Sequence, residues 1–318
     1  MRTSRATIEK LPKIELHCHL DGSISMQTIR QLAQQAGIEL PVSDEDLRLK
    51  ITAPQNAESL MDYLAPFDFV LPMLQTETSL ELAAYDILEQ AQKDNIRYME
   101  IRFAPTLHTA AGLTLSQVVA AVIRGLAAGE RDFQVKANAL LCGMRHESVD
   151  SVLTVVDLFA DGGLTHLAGF DLAGVEVDGF PEHFAPVLEK VKLNQIPLTL
   201  HAGASRIGHG VALKDVPGNW EALVADKIAI EMAPTSNFQT KAVDTLANYP
   251  FKKLLDAGVR VTINTDNRTV SGTTLNDEYE KIAGWYDLSE AEFRQIGRHA
   301  FEASFMSSEQ RDALISEF

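Results

Sequence analysis

The chain contains the stretch KIELHCHLDG at residues 13–22, in which a short apolar run ends in two histidines and an Asp-Gly pair. Alternate side chains of a β-strand point to the same face, so we expect His17 and His19 to share one face of a strand over Lys13–Leu20. Two imidazoles placed in this way can bind one metal ion, although a lone His-x-His pair is also common as ordinary polar residues near a strand end. Because Asp21 and Gly22 follow directly, the pair lies at the carboxyl end of the strand, which favours the metal site.

Seven further short apolar runs follow this strand, and amphipathic helical stretches separate most of them. This alternation predicts repeated βα units, and eight such units form a (β/α)8 TIM barrel with its chemistry at the carboxyl ends of the strands. Helices are predicted over Met26–Ala36, ended by Gly37, and over Leu115–Ala128, capped by Thr114. The other predicted strands are Arg97–Phe103, Val135–Leu141, Leu167–Leu172, Pro197–His201, Arg206–Gly210, Ile228–Met232 and Arg260–Asn264.

The segment at residues 23–95, between the first two predicted strands, is much longer than a barrel crossover. Its helical patterns are interrupted by Pro41, Pro54, Pro66 and Pro72, and we expect a helical insertion that caps the barrel mouth. No repeat, low-complexity tract or flexible linker divides the chain. We therefore expect one (β/α)8 domain over residues 1–318.

The connection between the fifth and sixth predicted strands is too short for a regular barrel. Strand five is predicted to end near His201 and strand six to begin at Arg206, whereas parallel neighbours need a crossover of about a dozen residues or more. Either the barrel is broken here, or residues between Gly203 and Ala204 are missing from the printed chain.

Composition restricts the classes of function. The 28 Lys and Arg against 44 Asp and Glu give a formal net charge of −16, and an acidic chain without a basic cluster is a poor partner for nucleic acid or an anionic membrane. The two cysteines, Cys18 and Cys142, form neither a CxxC motif nor a disulfide framework. We find no apolar run of about 18 residues and no secretory signal, so we expect a cytoplasmic protein.

Polar residues also follow three later strands. His201 follows the fifth predicted strand, His209 lies between two glycines after the sixth, and Asp266 follows the eighth. Singly, such a histidine is often bonded to backbone, and such an aspartate often caps a helix. Together with the first pair, three histidines and a carboxylate at strands one, five and eight can coordinate one divalent ion, with His209 beside it. The donor set favours zinc, and iron or cobalt can fit the same site.

These residues lie in motifs that resemble, in order, the signature blocks of the adenosine deaminase family, from about residue 10 to the C-terminus. The resemblance implies a zinc-dependent barrel enzyme of the amidohydrolase superfamily. It would convert adenosine, and 2′-deoxyadenosine, to inosine and ammonia through attack of a metal-activated water on purine C6. The motifs are His17–Gly22, Cys142–His146, Asp171–Gly174, His201–Gly203, Gly208–Gly210, Pro234–Asn237 and Asn264–Asp266.

The resemblance also implies the metal site and its neighbours. One Zn²⁺ per chain would be held by His17, His19, His201 and Asp266. His209 matches the family's histidine that orients or deprotonates the attacking water. Asp266 can also accept a hydrogen bond from that water and aim it at C6, while His209 can stabilise developing charge or move the proton.

Three further residues match positions that contact the substrate. Asp21 matches the residue that holds the ribose 5′-hydroxyl, and Gly174 matches a backbone contact to purine N3. Asn267 stands where many members have an aspartate that contacts purine N7. Its amide NH₂ can donate to an unprotonated N7, so we expect binding to survive this difference.

Ala204 is the main departure from the family. There, a glutamate next to the His-Ala-Gly block protonates N1, because aromatic C6 is a poor electrophile. The helix before the Gly-His-Gly block is absent as well. Either a dozen or more residues including the acid are missing from the printed chain, or the deletion is real. We favour missing residues, since a deletion should leave strands five and six unable to pair in parallel.

Two alternatives to adenosine deamination remain. One is deamination of a related aminopurine, either adenine or a modified nucleoside, and Asp21 favours the nucleoside mildly. The other is a catalytically dead metal-binding pseudoenzyme, which the absent acid supports. The expected partner is a small purine nucleoside, and the sequence gives no indication of the oligomeric state.

Overall fold

The computed structural model describes residues 2–54, 57–160, 165–174, 180–199 and 205–318. Within these ranges, eight parallel strands form one sheet in chain order, which confirms the predicted barrel. Each strand lies within a few residues of its predicted position. The strands are β1 (Lys13–His19), β2 (Ile96–Phe103), β3 (Lys136–Met144), β4 (Leu167–Ala173), β5 (Leu198–Thr199), β6 (Arg206–Gly208), β7 (Ala229–Met232) and β8 (Arg260–Ile263).

Helices separate most of the strands and bury their apolar faces against the outside of the sheet. No helix in the described ranges is long and apolar enough to cross a membrane. The helices are α1 (Arg5–Lys10), α2 (Met26–Ala36), α3 (Asp44–Ile51), α4 (Leu60–Val70), α5 (Glu77–Lys93), α6 (Leu115–Phe133), α7 (Val149–Asp157), α8 (Phe180–His183), α9 (Ala185–Leu193), α10 (Trp220–Ala225), α11 (Pro234–Gln239), α12 (Phe251–Asp256), α13 (Leu275–Tyr286), α14 (Glu290–Ala303) and α15 (Ser308–Leu314).

The two helices predicted from their caps are present. Gly37 ends α2 in the left-handed conformation, with φ +68°, which glycine adopts without steric cost. The Thr114 side chain accepts a hydrogen bond from the backbone N–H of Gln117 at the start of α6. Helix α6 continues to Phe133, beyond the predicted end.

The barrel closes between its first and last strands, next to the histidine pair. The backbone N–H of His19 donates to the carbonyl of Asp266 at 2.7 Å, and the N–H of Asp266 donates to the carbonyl of His17 at 2.9 Å. A parallel bridge between Cys18 and Asp266 extends this contact. The hydrogen bonds that close the sheet therefore also fix the backbone of three candidate metal ligands.

The segment between β1 and β2 contains α2, α3, α4 and α5. Helix α5 packs along α6 and contacts β2, as an outer barrel helix does. Pro66 lies inside α4, so the expectation that it interrupts the helix is wrong. A capping box at Ser59 and Asp62 and the burial of Tyr63 support the helix despite the missing N–H. That residues 23–95 cap the mouth, and that residues 1–318 form one domain, stay predictions.

Strands β5 and β6 pair in parallel, with Thr199 opposite Arg206. The expectation that so short a connection prevents parallel pairing is therefore wrong. The two strands have only two and three residues and share one register pair, so the chain need not travel back along a full strand. The Gly203–Ala204 junction lies outside the described residues, and the structural reason to expect a missing segment no longer holds.

Candidate active site

His17 and His19 lie on one side of strand β1, after a register shift in the strand between Glu15 and Cys18. Cys18, between them, belongs to the apolar core, whereas Glu15 binds Thr265 and Arg268 instead of this group. The rings of His17 and His19 have centroids 5.4 Å apart. The predicted sharing of one strand face is therefore what the structure shows.

Asp266 joins this pair from the end of β8. Its Oδ1 lies 3.3 Å from the Nε2 atoms of both His17 and His19. Its Oδ2 accepts a hydrogen bond from Ser236 Oγ at 2.6 Å. The residue adopts the left-handed conformation, with φ +63°, and this backbone geometry allows its main chain to pair with β1. The two carboxylate oxygens thus face different partners.

His209 completes the group after β6. Ligand atoms of His17, His209 and Asp266 all lie within 4.8 Å of one another. The side-chain amide of Asn237 donates to His209 Nδ1 at 2.9 Å, and Tyr249 Oη donates to the same amide's oxygen at 3.3 Å, which supports that amide orientation. Nδ1 is therefore an acceptor, and in the neutral ring the proton is on Nε2.

A buried carboxylate orients His17. Its Nδ1–H donates to Glu231 Oε2 on β7 at 2.9 Å, while its Nε2 is buried and has no hydrogen-bond partner in the described structure. Glu231 Oε2 also accepts from Arg102 at 2.8 Å, and Arg206 Nε lies 2.6 Å from Oε1. These charges make ionised Glu231 stable inside the barrel, and ionised Glu231 in turn fixes the tautomer that leaves His17 Nε2 free to bind a metal.

The protonation states of His19 and Asp266 suit a metal centre. Burial opposes a charge on His17, but its carboxylate neighbours Asp266 and Glu231 hold its pKa above the usual value, so a metal there competes with a proton. Burial lowers the pKa of His19 to about 3, so the ring is neutral at physiological pH. Burial alone would raise the pKa of Asp266, but the nearby imidazoles of His17, His209 and His19 hold it well below the usual value. Neutral imidazoles and a carboxylate are the donors that Zn²⁺ takes in catalytic sites. Because the buried Nε2 of His17 also has no hydrogen-bond partner in the described structure, the residues present fit a divalent cation.

Two candidate substrate contacts flank this group. Asp21 is buried directly after β1, and burial raises its pKa to about 6 against hydrogen bonds from its own and the Gly22 backbone N–H. Gly174 follows β4 with φ +98°, and its carbonyl accepts from Arg145 at 3.3 Å. That φ is one that side chains rarely adopt, so glycine suits the position.

Asn267 makes a contact within the protein that the sequence did not predict, and its role toward purine N7 stays a prediction. Its amide Nδ2 donates to Tyr63 Oη at 2.9 Å, and its Oδ1 is buried without a hydrogen-bond partner in the part of the chain that the structure describes. One of the two N–H donors of this amide is therefore bound to a tyrosine from α4, and that bond does not use the second.

One predicted ligand cannot be placed. His201 and Ala204 lie outside the described residues. The structure brings together His17, His19 and Asp266, with His209 beside them, and the fourth ligand stays a prediction.

Sequence reasoning missed the residues that support the ligands: Glu231, Arg102, Ser236 and Tyr63. The first two carried a signal, because each is a charged residue inside a predicted barrel strand: Glu231 is the only charge in β7, and Arg102 shares β2 with Arg97 and Glu100. A buried charge needs a partner of opposite sign, so such residues indicate a polar network inside the barrel. Tyr63 carried none, since its contacts lie about 200 residues away in the chain.

A parallel βα barrel with histidines and an aspartate at the carboxyl ends of its strands defines a metal-dependent hydrolase of the amidohydrolase type. The family model described as adenosine deaminase matches residues 12–318. The chain belongs to the adenosine deaminase family.

Relatives named adenosine deaminase match almost the whole chain. The protein from Lactococcus lactis subsp. lactis is 47% identical over 329 residues, covering 98% of this chain and 94% of its own. The protein from Enterococcus faecalis is 48% identical over 322 residues, with 96% of each chain covered. The first aligned stretch is longer than this 318-residue chain, so that relative contains residues with no counterpart here.

Solved structures show the same fold. An adenine deaminase from Arthrobacter aurescens superposes with a TM-score of 0.86 at 28% identity, covering 96% of this chain and 98% of that one. An amidohydrolase from Burkholderia ambifaria with bound Zn gives a TM-score of 0.87 at 22% identity, over 98% and 90% of the two chains. At that identity the second similarity concerns the fold alone.

Proposed function

We propose that this chain is a zinc-dependent deaminase of adenosine and 2′-deoxyadenosine. The observation that carries the proposal is the convergence of His17, His19 and Asp266 at the barrel closure, with a buried His17 Nε2 that lacks a partner in the described structure. The relatives' names and their near-complete coverage of this chain support adenosine as the substrate.

The metal would be one Zn²⁺ held by His17, His19 and Asp266, with His201 as the fourth ligand by motif. When bound, such an ion lowers the pKa of a water to about 7 and makes it nucleophilic at neutral pH. Asp266 is ionised and would lie beside the metal, so it can also accept a hydrogen bond from the attacking water and direct it at C6.

His209 stabilises charge rather than removing a proton. Its Nδ1 already accepts a hydrogen bond from Asn237, so the neutral ring presents Nε2–H as a donor. A donor next to the reacting oxygen stabilises negative charge that develops there. Of the two roles that the resemblance allows, this geometry supports the electrostatic one.

The substrate is a small purine nucleoside in the cytoplasm. Asp21, buried at the end of β1, holds the ribose 5′-hydroxyl, and the backbone of Gly174 contacts purine N3. The second N–H of the Asn267 amide donates to purine N7, because its bond to Tyr63 uses only one of the two donors.

Protonation of N1 is the step for which this chain lacks the family's residue, since Ala204 follows Gly203. A positioned general acid contributes about 10²–10⁴-fold in rate. We therefore expect kcat for adenosine to be lower than that of the L. lactis relative, assayed side by side, by about that factor. Its rate should fall as pH rises above neutral, because the water is then already deprotonated and solvent supplies the proton for N1 less readily. Equal rates and equal pH profiles would contradict the assignment of the missing acid.

The same alanine favours a second candidate, a metal-binding protein that binds nucleoside without converting it. Turnover separates the two. Zinc-reconstituted protein is incubated with adenosine, and inosine and ammonia are measured together, with His17→Ala as the control for metal-dependent chemistry. Equal release of both products by the wild type alone supports the deaminase. Saturable adenosine binding without product supports the pseudoenzyme and overturns the proposal.

A further inference from the structure

Tyr63 reaches the candidate metal site from the segment between β1 and β2. It lies in α4, is 2% exposed, and packs with Ala53 and Val270 in a small apolar cluster. The backbone N–H of Ala53 donates to the carbonyl of Val270 at 2.8 Å. This part of the segment is therefore attached to the loop that follows β8 and carries Asp266.

The phenol oxygen of Tyr63 meets three polar side chains. It accepts from Asn267 Nδ2 at 2.9 Å, lies 2.8 Å from Ser271 Oγ, and lies 3.5 Å from Asp266 Oδ2. A phenol has one proton to donate. Ser271 can donate its own proton to the phenol, whereas the carboxylate can only accept, so the arrangement that satisfies every group directs the phenol proton at Asp266.

This contact distinguishes the two oxygens of Asp266. Oδ2 is held by Ser236 at 2.6 Å and, more weakly, by Tyr63, while Oδ1 faces the histidine nitrogens at 3.3 Å. Partners on one carboxylate oxygen restrict rotation of the group and keep the other oxygen directed at a ligand. Because one of these partners belongs to α4, the position of that helix and the orientation of Asp266 depend on each other.

We propose that Tyr63 is a positioning residue for the metal centre, which orients Asp266 and Asn267 from α4 and thereby links the order of α4 to metal affinity. The inference concerns the site of the proposed function and rests on it for the identity of the metal. The linkage itself is a property of the chain's own side chains and can be measured without turnover.

The first test removes only the hydroxyl. Tyr63→Phe keeps the ring in its apolar cluster, and zinc affinity is measured by competition with a chromogenic chelator. Loss of a residue that orients a metal ligand typically costs about 10–100-fold in metal affinity. We expect zinc affinity to fall about tenfold, because the 3.5 Å contact of Tyr63 with Asp266 Oδ2 is weaker than the contact of Ser236 with the same oxygen. The matched control is Tyr85→Phe, which removes a phenol donor to Asp132 on the protein surface. Equal affinities of the two variants would overturn the proposal.

The second test needs no metal and separates this inference from the proposed function. In chelator-treated protein, hydrogen exchange of the α4 amides is compared among wild type, Tyr63→Phe and Asp266→Ala. Faster exchange in α4 for both variants, with α6 unchanged, supports the linkage even if the wild type binds no zinc. Unchanged α4 exchange in the Asp266→Ala protein would overturn it, whatever the zinc result.

Discussion

Two of the site residues hold backbone conformations that their residue types rarely adopt. His209 has φ +57° and Asp266 has φ +63°. Such conformations cost about 1–3 kcal/mol each and persist where the surrounding structure over-determines them. Here the surroundings are visible, because the Asp266 backbone is hydrogen-bonded to β1 on both sides and the His209 N–H donates to the Glu231 carbonyl at 2.9 Å. In these conformations both side chains lie beside His17, with ligand atoms of the three residues within 4.8 Å of one another.

Glu231 offers a direct test at the scale of one residue. Glu231→Gln keeps the size of the side chain but removes the charge that holds the His17 tautomer and neutralises Arg102 and Arg206. We expect zinc affinity to fall about 10–100-fold. Breaking a buried ion pair typically costs about 3–5 kcal/mol, so the free energy of unfolding should also fall by several kcal/mol.

The control for this variant is Glu77→Gln, which removes a carboxylate from an exposed pair with Arg124. Exposed ion pairs contribute about 1 kcal/mol or less, so both zinc affinity and stability should stay near wild type. Chelator competition and urea unfolding measure the two quantities. If zinc affinity of the Glu231→Gln protein equals that of the control, Glu231 does not orient His17.

At the scale of elements, the close approach of the β1 end to the loop after β8 depends on a glycine. A Cβ at Gly22 would lie 1.9 Å from Asn267 Oδ1, and the Gly22 carbonyl accepts from the N–H groups of Thr269 and Val270 at 3.0 Å. Gly22→Ala must therefore displace Asn267 and strain this junction. We expect a loss of about 1–3 kcal/mol in stability, the usual cost of overpacking, together with weaker adenosine binding.

Gly218→Ala is the matched control, because an added Cβ there meets nothing within 4 Å. Thermal unfolding and equilibrium binding of adenosine compare the two variants. A Gly22→Ala protein as stable and as tight in binding as the Gly218→Ala protein would show that the junction does not need the close approach.

Most elements could be predicted because their signals are local. The alternation of short apolar runs with amphipathic stretches located the strands, and Gly37 and Thr114 located helix ends. Pro66 misled the prediction, since packing of buried side chains outweighs one lost hydrogen bond in α4. The short β5–β6 connection also misled it, because the crossover rule assumes strands of ordinary length.

At the scale of the whole molecule, the site depends on contacts between the two ends of the chain. Strand order and the family resemblance together predicted that the His-x-His pair and Asp266 meet at the carboxyl end of the barrel. The contacts that hold these ligands in place could not be predicted in this way. The contact of Glu231 with His17, the contacts of Ser236 and Tyr63 with Asp266, and the bond from Asn267 to Tyr63 depend on side-chain directions that only the folded barrel sets.

The most direct test of the central claim, that this chain builds one zinc centre at the closure between β1 and β8, is anomalous diffraction at the zinc edge from crystals of zinc-loaded protein. The account predicts a single strong peak per chain, bonded to His17 Nε2, His19 Nε2 and Asp266 Oδ1, with His201 as the remaining protein ligand. No peak at this position, or a peak elsewhere with His17 Nε2 uncoordinated, would contradict it.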